Sequence, residues 1–264
     1  MKRVLIAATV ASALFISCKK DSVPEYNSSI KAPLSVEFDN IAGAADLALN
    51  TGTYTNAAGE NFHVTKLKYY VSNFKLTNVD GSVYTVPQDS CYFLIDESDE
   101  DTHEPLLNIP EGEYKSISFI IGVDSLKSTK NISERTGTLD PTGAAADMYW
   151  NSNSGYIFLN MEGTSSASAQ PGNAIKYQVG GFGGITSSTI NNIKTITLDL
   201  TARGTPKVKS GKETNIHLMV DVLKIFNGPT NVSIATNPFV AFDPYSIYIA
   251  NNYASMIRHD HTEN

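Results

Sequence analysis

A histidine and a methionine stand two positions apart in the segment Asn215–Asp221, which reads NIHLMVD. Side chains alternate between the two faces of a strand, so His217 and Met219 share one face and the apolar residues share the other. An imidazole and a thioether together suit a soft metal ion such as Cu(I). The same pattern also fits a half-buried strand whose histidine has a hydrogen-bond partner, and the segment alone leaves both interpretations open.

Two further segments carry groups that bind metals. The triplet His259-Asp260-His261 near the end of the chain fits either a divalent-metal pair or a polar tail. The acidic run Asp96–Glu104 (DESDEDTHE) lacks the spacing of a calcium loop, so a solvated loop is the better interpretation. The candidate metal ligands from these patterns are His217, Met219 and His261.

Composition and motifs exclude several classes of function. The sequence contains no GxSxG, phosphate-loop, HExxH or CxxC pattern, so the well-marked enzyme signatures are absent. We therefore expect a binding protein and not an enzyme. The formal net charge is −7 and the lysines are scattered along the chain. Nucleic-acid binding is not expected, because phosphate contacts need clustered Lys and Arg side chains.

The first residues, MKRVLIAATVASALFISCKKDS, predict the compartment. Two basic residues precede an apolar stretch too short to span a bilayer comfortably, and Leu14–Cys18 resembles a bacterial lipobox. Residues 1–17 are thus predicted to be a lipoprotein signal peptide, and an acylated Cys18 would anchor the protein in a membrane. The competing interpretation is an ordinary secretory signal followed by a chance cysteine. The lipobox predicts an outer-membrane lipoprotein of the cell envelope, on the periplasmic side or the cell surface.

The rest of the chain divides into a flexible polar tether at residues 18–31 and one domain at residues 32–264. Segments rich in Val, Ile, Thr, Tyr and Phe recur through the domain, bounded by Gly, Asn, Asp and Pro. A helical pattern is clearest at Pro244–Ile257. These patterns predict an all-β fold, an antiparallel β-sandwich of roughly ten strands with a short C-terminal helix.

The single tryptophan of the chain, Trp150, lies between the long loop Ser125–Trp150 and a predicted strand at Tyr156–Met161. The loop is rich in small residues, and loops of this length often carry function. Core packing and a chemical role both fit this position.

Several segments, in order, resemble one family. LSVEFDNIAGAADLAL is followed by GENFHVTKLKYYVSNFKLTNVDG, LNIPEGEYKSISFIIGVDS, SGYIFLNMEG, YQVGGFGG, NIHLMVDVLKIF and IANNYASMIRHDH. Over roughly residues 34–261 the chain resembles the MbnP-like family of methanobactin-associated periplasmic proteins. The resemblance implies a β-sandwich that binds copper. It also implies a di-heme partner of the MauG-like type, which oxidises a tryptophan to kynurenine near the metal.

The family pattern is matched only in part. Trp150 stands at the first tryptophan of the family's MYWxWxSGY, whereas Ser152 stands at the second. In the family's YHxGG, Gln178 replaces the histidine, and glutamine is a poor ligand for a soft metal. The pair Asp260-His261 fits a recurrent family Asp-His pair. We therefore expect the copper site of the family to be altered or lost in this chain. A copper site that remains would draw on His217, His261, Trp150 and Met219.

A second function is kept open. A metal-free module of the same fold would use the Ser125–Trp150 loop and exposed aromatic residues to bind a glycan or a protein partner. Cys91 would be a rival copper ligand if its thiolate were exposed.

Overall fold

The structure is a computed structural model that describes residues 26–264. The predicted signal peptide and the predicted lipidation site at Cys18 lie outside the described residues. Within residues 26–264, no helix is both long enough and apolar enough to cross a membrane. The described end of the predicted tether contacts the domain, because Glu111 accepts a hydrogen bond from the backbone N–H of Asn27 at 3.0 Å.

Strands dominate the described residues. In chain order they are β1 (Lys31–Ala42), β2 (Ala45–Asp46), β3 (Tyr54–Thr55), β4 (Asn61–Asn78), β5 (Val83–Thr85), β6 (Tyr92–Asp96), β7 (Leu106–Pro110), β8 (Gly112–Ile121), β9 (Tyr149–Asn151), β10 (Gly155–Thr164), β11 (Ala174–Gly180), β12 (Lys194–Asp199), β13 (Lys207–Val208), β14 (Asn215–Asp221), β15 (Phe239–Val240) and β16 (Ile257–Glu263). The two α-helices of this part of the chain are α1 (Ser125–Ser128) and α2 (Ser246–Tyr253). Short 3-10 turns connect several strands, and one of them, Val222–Ile225, directly follows β14.

Two sheets make up the fold. The small sheet contains β1, β2, β7, β14 and β16, and the remaining strands form the large sheet. Most neighbouring strands are antiparallel, but β1 pairs with β14 in parallel and β11 pairs with β15 in parallel. The partners in each parallel pair are distant in the chain, so no hairpin turn imposes an antiparallel direction. The predicted all-β sandwich is confirmed, and its sheets are mixed rather than uniformly antiparallel.

The core lies between the two sheets. Phe38 of β1 makes edge-on contacts with Tyr69 and Phe119 of the large sheet, with ring centroids 6.3 and 5.6 Å apart. Burial of one large aliphatic side chain contributes roughly 1.5–3 kcal/mol, so several such residues on one face fix the orientation of a strand. His217 and Met219 therefore lie on the outer face of the small sheet, because β14 buries the residues that alternate with them, Ile216, Leu218 and Val220.

A second apolar cluster covers the outer face of the large sheet. Neighbouring residues of β4 point in opposite directions, so Tyr69 enters the core while Tyr70 packs against Tyr156 on the outside. The long loop folds down over these two rings. The hydroxyl of Tyr70 donates to the carbonyl of Thr138 at 2.6 Å, and that of Tyr156 donates to the carbonyl of Leu139 at 2.7 Å. The loop thereby becomes a layer above the large sheet.

The predicted C-terminal helix is confirmed as α2. Its buried face includes Ile249 and Tyr253, which are four positions apart and therefore lie on one side of the helix. The buried amide of Asn252 donates to the carbonyls of Ile225 and Thr230 at 3.0 and 2.7 Å, which ties the end of the helix to the turn after β14. Only three residues separate the end of α2 from the start of β16, so α2 helps to position the edge of the small sheet.

Candidate metal centre

A β-bulge in β16 presents two metal-binding side chains on one face. His261 lies opposite His217, but the next pair joins Leu218 to His259, which leaves Asp260 as an extra residue. In a regular strand, Asp260 and His261 would point to opposite faces of the sheet. The bulge lets both side chains reach the outer face, next to His217. His259 turns inward instead and is only 9% exposed.

His217, Asp260 and His261 form the His–Asp–His cluster, in which one ligand atom of each residue lies within 4.8 Å of the others. Asp260 Oδ2 lies 3.0 Å from His261 Nδ1 and 3.6 Å from His217 Nδ1. The two imidazole rings meet edge to face, with centroids 4.8 Å apart. Donors that share an ion through bonds of about 2 Å lie within about 4 Å of each other. The donor atoms of the cluster are therefore arranged much like the ligands of a metal ion, but they lie slightly farther apart than donors that hold an ion.

Strand β1 places two carboxylates on the other side of His217. The imidazole Nε2 lies 3.5 Å from Glu37 Oε1 and 3.5 Å from Asp39 Oδ2. The parallel pairing sets Glu37 directly beside His217 and sets Asp39 beside Met219. The side chain of His217 is only 14% exposed. This imidazole is therefore enclosed by carboxylates from both neighbouring strands.

Neighbouring cations keep the carboxylate of Asp260 ionised. The hydrogen bond from His261, supported by the guanidinium of Arg258, lowers the pKa of Asp260 to about 2. The same hydrogen bond raises the pKa of His261 above its ordinary value. Asp260 is thus ionised at neutral pH, and the carboxyl groups of Glu37 and Asp39 lie on the other side of His217. Opposite charges attract most strongly where solvent is partly excluded, as it is around His217.

One atom of the cluster lacks a partner. The Nδ1 atom of His217 is buried and makes no hydrogen bond within the described residues. Proteins satisfy nearly all of their buried polar atoms, and an exception calls for a specific explanation. A metal ion shared with Asp260 and His261 would supply the missing partner, so the residues present fit a bound metal.

The donor types select the kind of ion. The cluster offers imidazole nitrogens and a carboxylate oxygen, a set that suits Cu(II) better than Cu(I) and that binds copper more strongly than zinc. Met219 shares the outer face of β14, but its neighbours across the sheet are Asp39 and Arg258 rather than the two histidines. Met219 as a soft ligand for Cu(I) stays a prediction of the sequence pattern.

Trp150 lies on the outer face of the large sheet, on the opposite side of the sandwich from the cluster. Its indole meets the ring of Phe242 edge to face at 5.3 Å, and Gly180 leaves space for it, since a Cβ there would lie 3.1 Å from the indole. Gln178 lines the same depression as Trp150. The structure therefore places the two predicted histidines at one site and the predicted Trp150 at another, beside Gln178.

Cys91 does not compete for the metal of the cluster. Its side chain belongs to the core and is 1% exposed, and its thiol donates to the carbonyl of Gln88 at 3.2 Å. Burial raises the pKa of the Cys91 thiol, which keeps it protonated. The thiol of Cys91 is therefore buried and unreactive.

Sequence reasoning missed the two carboxylates of β1. The alternation in Ser35–Asp39 (SVEFD) does contain a signal, because Val36 and Phe38 are buried and the acidic residues between them must face outward. Nothing in that pattern identifies β14 as the neighbouring strand, since the two strands are about 180 residues apart.

Comparison with known proteins supports the fold. A family model described as MbnP matches residues 31–245. His217 and Trp150 fall within this range, whereas Asp260 and His261 lie beyond its end. No curated protein matches the chain.

The solved structure of MbnP from Methylosinus trichosporium resembles the chain with a TM-score of 0.57 and 16% identity, over 81% of this chain and 82% of the other. At that identity the similarity shows a common fold and nothing about the site. The family model is more specific, because it spans most of the sandwich, including both sheets. On this ground, the chain belongs to the MbnP family.

Proposed function

We propose that this protein is a lipid-anchored binding protein of the cell envelope that holds Cu(II) at the His–Asp–His cluster. The buried Nδ1 of His217, which has no hydrogen-bond partner and lies 3.6 Å from Asp260, is the observation that carries the proposal. Copper is favoured over other divalent ions because nitrogen and oxygen donors bind it most strongly. Membership of the MbnP family supports the same metal through the resemblance described above.

Each residue of the cluster would have a distinct role. His217 and His261 would supply imidazole nitrogens, and Asp260 would supply an anionic oxygen. Glu37 and Asp39 would orient His217 through its second ring nitrogen, as carboxylates do behind many metal-bound histidines. Bound copper would supply a Lewis-acidic and redox-active ion at the surface of the envelope. We infer binding rather than catalysis, in line with the absence of enzyme motifs from the sequence.

This copper site differs from the one that the resemblance implied. Trp150 and Gln178 take no part in it, because they lie on the other sheet. The di-heme oxidase partner stays a prediction of the resemblance. Intact-mass measurement of protein from its own host tests that prediction, since conversion of Trp150 to kynurenine changes the mass by a defined amount.

Calorimetric titration of the purified full-length protein with Cu(II) tests the proposal. We expect one equivalent of Cu(II) to bind and Zn(II) to bind more weakly. In His217→Gln, the heat of copper binding should disappear. The matched control is His63→Gln, because His63 is also a strand histidine but lies on the large sheet, where its Nδ1 contacts the carbonyl of Gly52. Copper binding that persists in His217→Gln and disappears in His63→Gln would overturn the assignment.

The anchor is tested separately. Cys18→Ser should move the protein from the membrane fraction to the soluble fraction, because the acyl chains would be lost. Retention in the membrane fraction would contradict the lipoprotein assignment and would leave the copper proposal intact.

A further inference from the structure

A depression on the outer face of the large sheet has the features of a second binding site. It has a volume of about 470 Å³, which lies within the usual range for sites that bind small molecules. Its floor is the sheet and its wall is the end of the long loop. Its lining includes Lys66, Asp147, Tyr149, Trp150, Asn160 and Gln178.

Asn160 lies at the floor of the depression with its amide unsatisfied. The residue is 1% exposed, and neither its Oδ1 nor its Nδ2 has a hydrogen-bond partner within the described residues. It sits in the middle of β10, between Lys68 of β4 and Gln178 of β11. A buried amide without partners is costly, and it offers both donors and acceptors to whatever enters. A ligand that satisfies it must itself both donate and accept.

The charges around the depression are already paired. Lys66 contacts Asp147 at 3.5 Å, Lys68 contacts both Asp96 and Asp147, and Lys176 contacts Glu162 at 3.5 Å. The formal charges of these three lysines and three carboxylates sum to zero. A charged ligand would have to break one of these pairs, whereas a neutral polar ligand would find donors and acceptors in place.

Two aromatic side chains border the depression. Trp150 is half-buried, and its indole is held by its edge contact with Phe242. Tyr149 is fixed through its hydroxyl, which accepts a hydrogen bond from Arg135 Nη1 at 3.1 Å. Rings held in this way offer an apolar surface to the C–H groups of a ligand at little cost in conformational entropy.

We propose that this depression binds a neutral sugar, either free or as a unit of a polysaccharide, with Asn160 hydrogen-bonded to its hydroxyl groups and Trp150 against its C–H face. Sugar hydroxyls both donate and accept hydrogen bonds, so they can pair with both the Oδ1 and the Nδ2 of Asn160. The C–H faces of the sugar ring match the aromatic border, and the absence of net charge matches the paired lysines and carboxylates. This site is independent of the copper proposal.

Trp150 is the only tryptophan of the chain, so its emission reports on this depression without a label. The full-length protein, in a detergent without a sugar headgroup, is titrated with N-acetylglucosamine, D-glucose and D-galactose, and then with chitotriose and maltotriose. Glucosamine and glucuronate serve as the charged counterparts. We expect a saturable change in Trp150 emission with at least one neutral sugar, and binding weakened at least tenfold for its charged counterpart.

The variant Asn160→Leu should abolish the response, because it removes the amide and keeps a side chain of similar size. The matched control is Asn215→Leu, since Asn215 also has a buried amide oxygen without a partner but lies on the small sheet. Tighter binding of a trisaccharide would identify a polysaccharide as the source, and equal binding would identify a free sugar. No saturable response to any of the neutral sugars, or an equal response in Asn160→Leu, would overturn the proposal and leave an ordered water as the partner of Asn160.

Discussion

His217 and His261 lie directly opposite each other on β14 and β16, with ring centroids 4.8 Å apart and the carboxylate of Asp260 close to both rings. Their approach depends on three structural features at once. The apolar alternation of β14 turns His217 outward, the antiparallel pairing brings His261 beside it, and the bulge adds Asp260 to the same face.

The carboxylates of β1 should strengthen copper binding without being ligands themselves. Glu37→Gln and Asp39→Asn each leave the three cluster residues in place but weaken the contacts that orient His217. We expect either change to reduce Cu(II) affinity about 10-fold, the lower end of the usual effect of such outer partners. Calorimetry measures the affinity, and a loss of binding as complete as in His217→Gln would show that a carboxylate of β1 is itself a ligand.

Acid should weaken copper binding, because protons compete with the ion for imidazole nitrogens. The hydrogen bond that His261 donates to Asp260 raises the pKa of His261, so the competition begins at a higher pH than for a histidine of ordinary pKa 6.5. Asp260, with a pKa of about 2, stays ionised through this range. In Asp260→Asn the pKa of His261 should fall toward 6.5, as measured by NMR titration of its ring protons. An unchanged His261 titration would contradict the role given to this hydrogen bond.

Copper should leave the emission of Trp150 unchanged. The indole and the His–Asp–His cluster lie on outer faces of different sheets, with the core between them. A fluorescence titration with Cu(II) under the conditions of the calorimetry measures the effect. Strong quenching that follows the binding isotherm would place the copper near Trp150 and Gln178, as the family resemblance first suggested.

Asn160→Leu should stabilise the protein while it removes sugar binding. The native residue buries an amide whose two polar atoms have no partner, and such a group costs about 1–3 kcal/mol. A leucine of similar volume places apolar atoms next to the second apolar cluster. We expect the free energy of unfolding to rise by about 1 kcal/mol in chemical denaturation. A fall of similar size would show that the amide is satisfied, for instance by an ordered water.

Much of the fold could be predicted from local patterns in the sequence. The burial alternation at Asn215–Asp221 and the apolar face of Ser246–Tyr253 follow from periodicity of two and of 3.6 residues. The pairing of β1 with β14 could not be predicted in this way, because the two strands are far apart in the chain. For the same reason, the carboxylates Glu37 and Asp39 were missed.

Two residues of the His–Asp–His cluster, His217 and His261, could be named from the sequence as candidate ligands, but their grouping with Asp260 could not. His217 and His261 came from patterns that fit metal ligands as well as an ordinary strand and a polar tail, and the structure brings the two residues together. Trp150 came from a family pattern, which identifies a segment but carries no information about the side of the sandwich on which the segment lies. The bulge at Asp260 had no signal in the sequence, since HDH reads equally well as a regular strand.

Because of the bulge, the metal site can change in evolution without a change in the fold. Asp260 is an extra residue in β16, so the deletion of its single codon would leave His261 opposite His217 and His259 opposite Leu218. The inward face of β14 would keep its packing, and only the shared carboxylate would be lost. One insertion or deletion of a codon could therefore confer or remove metal affinity within a lineage while the sandwich remains unchanged.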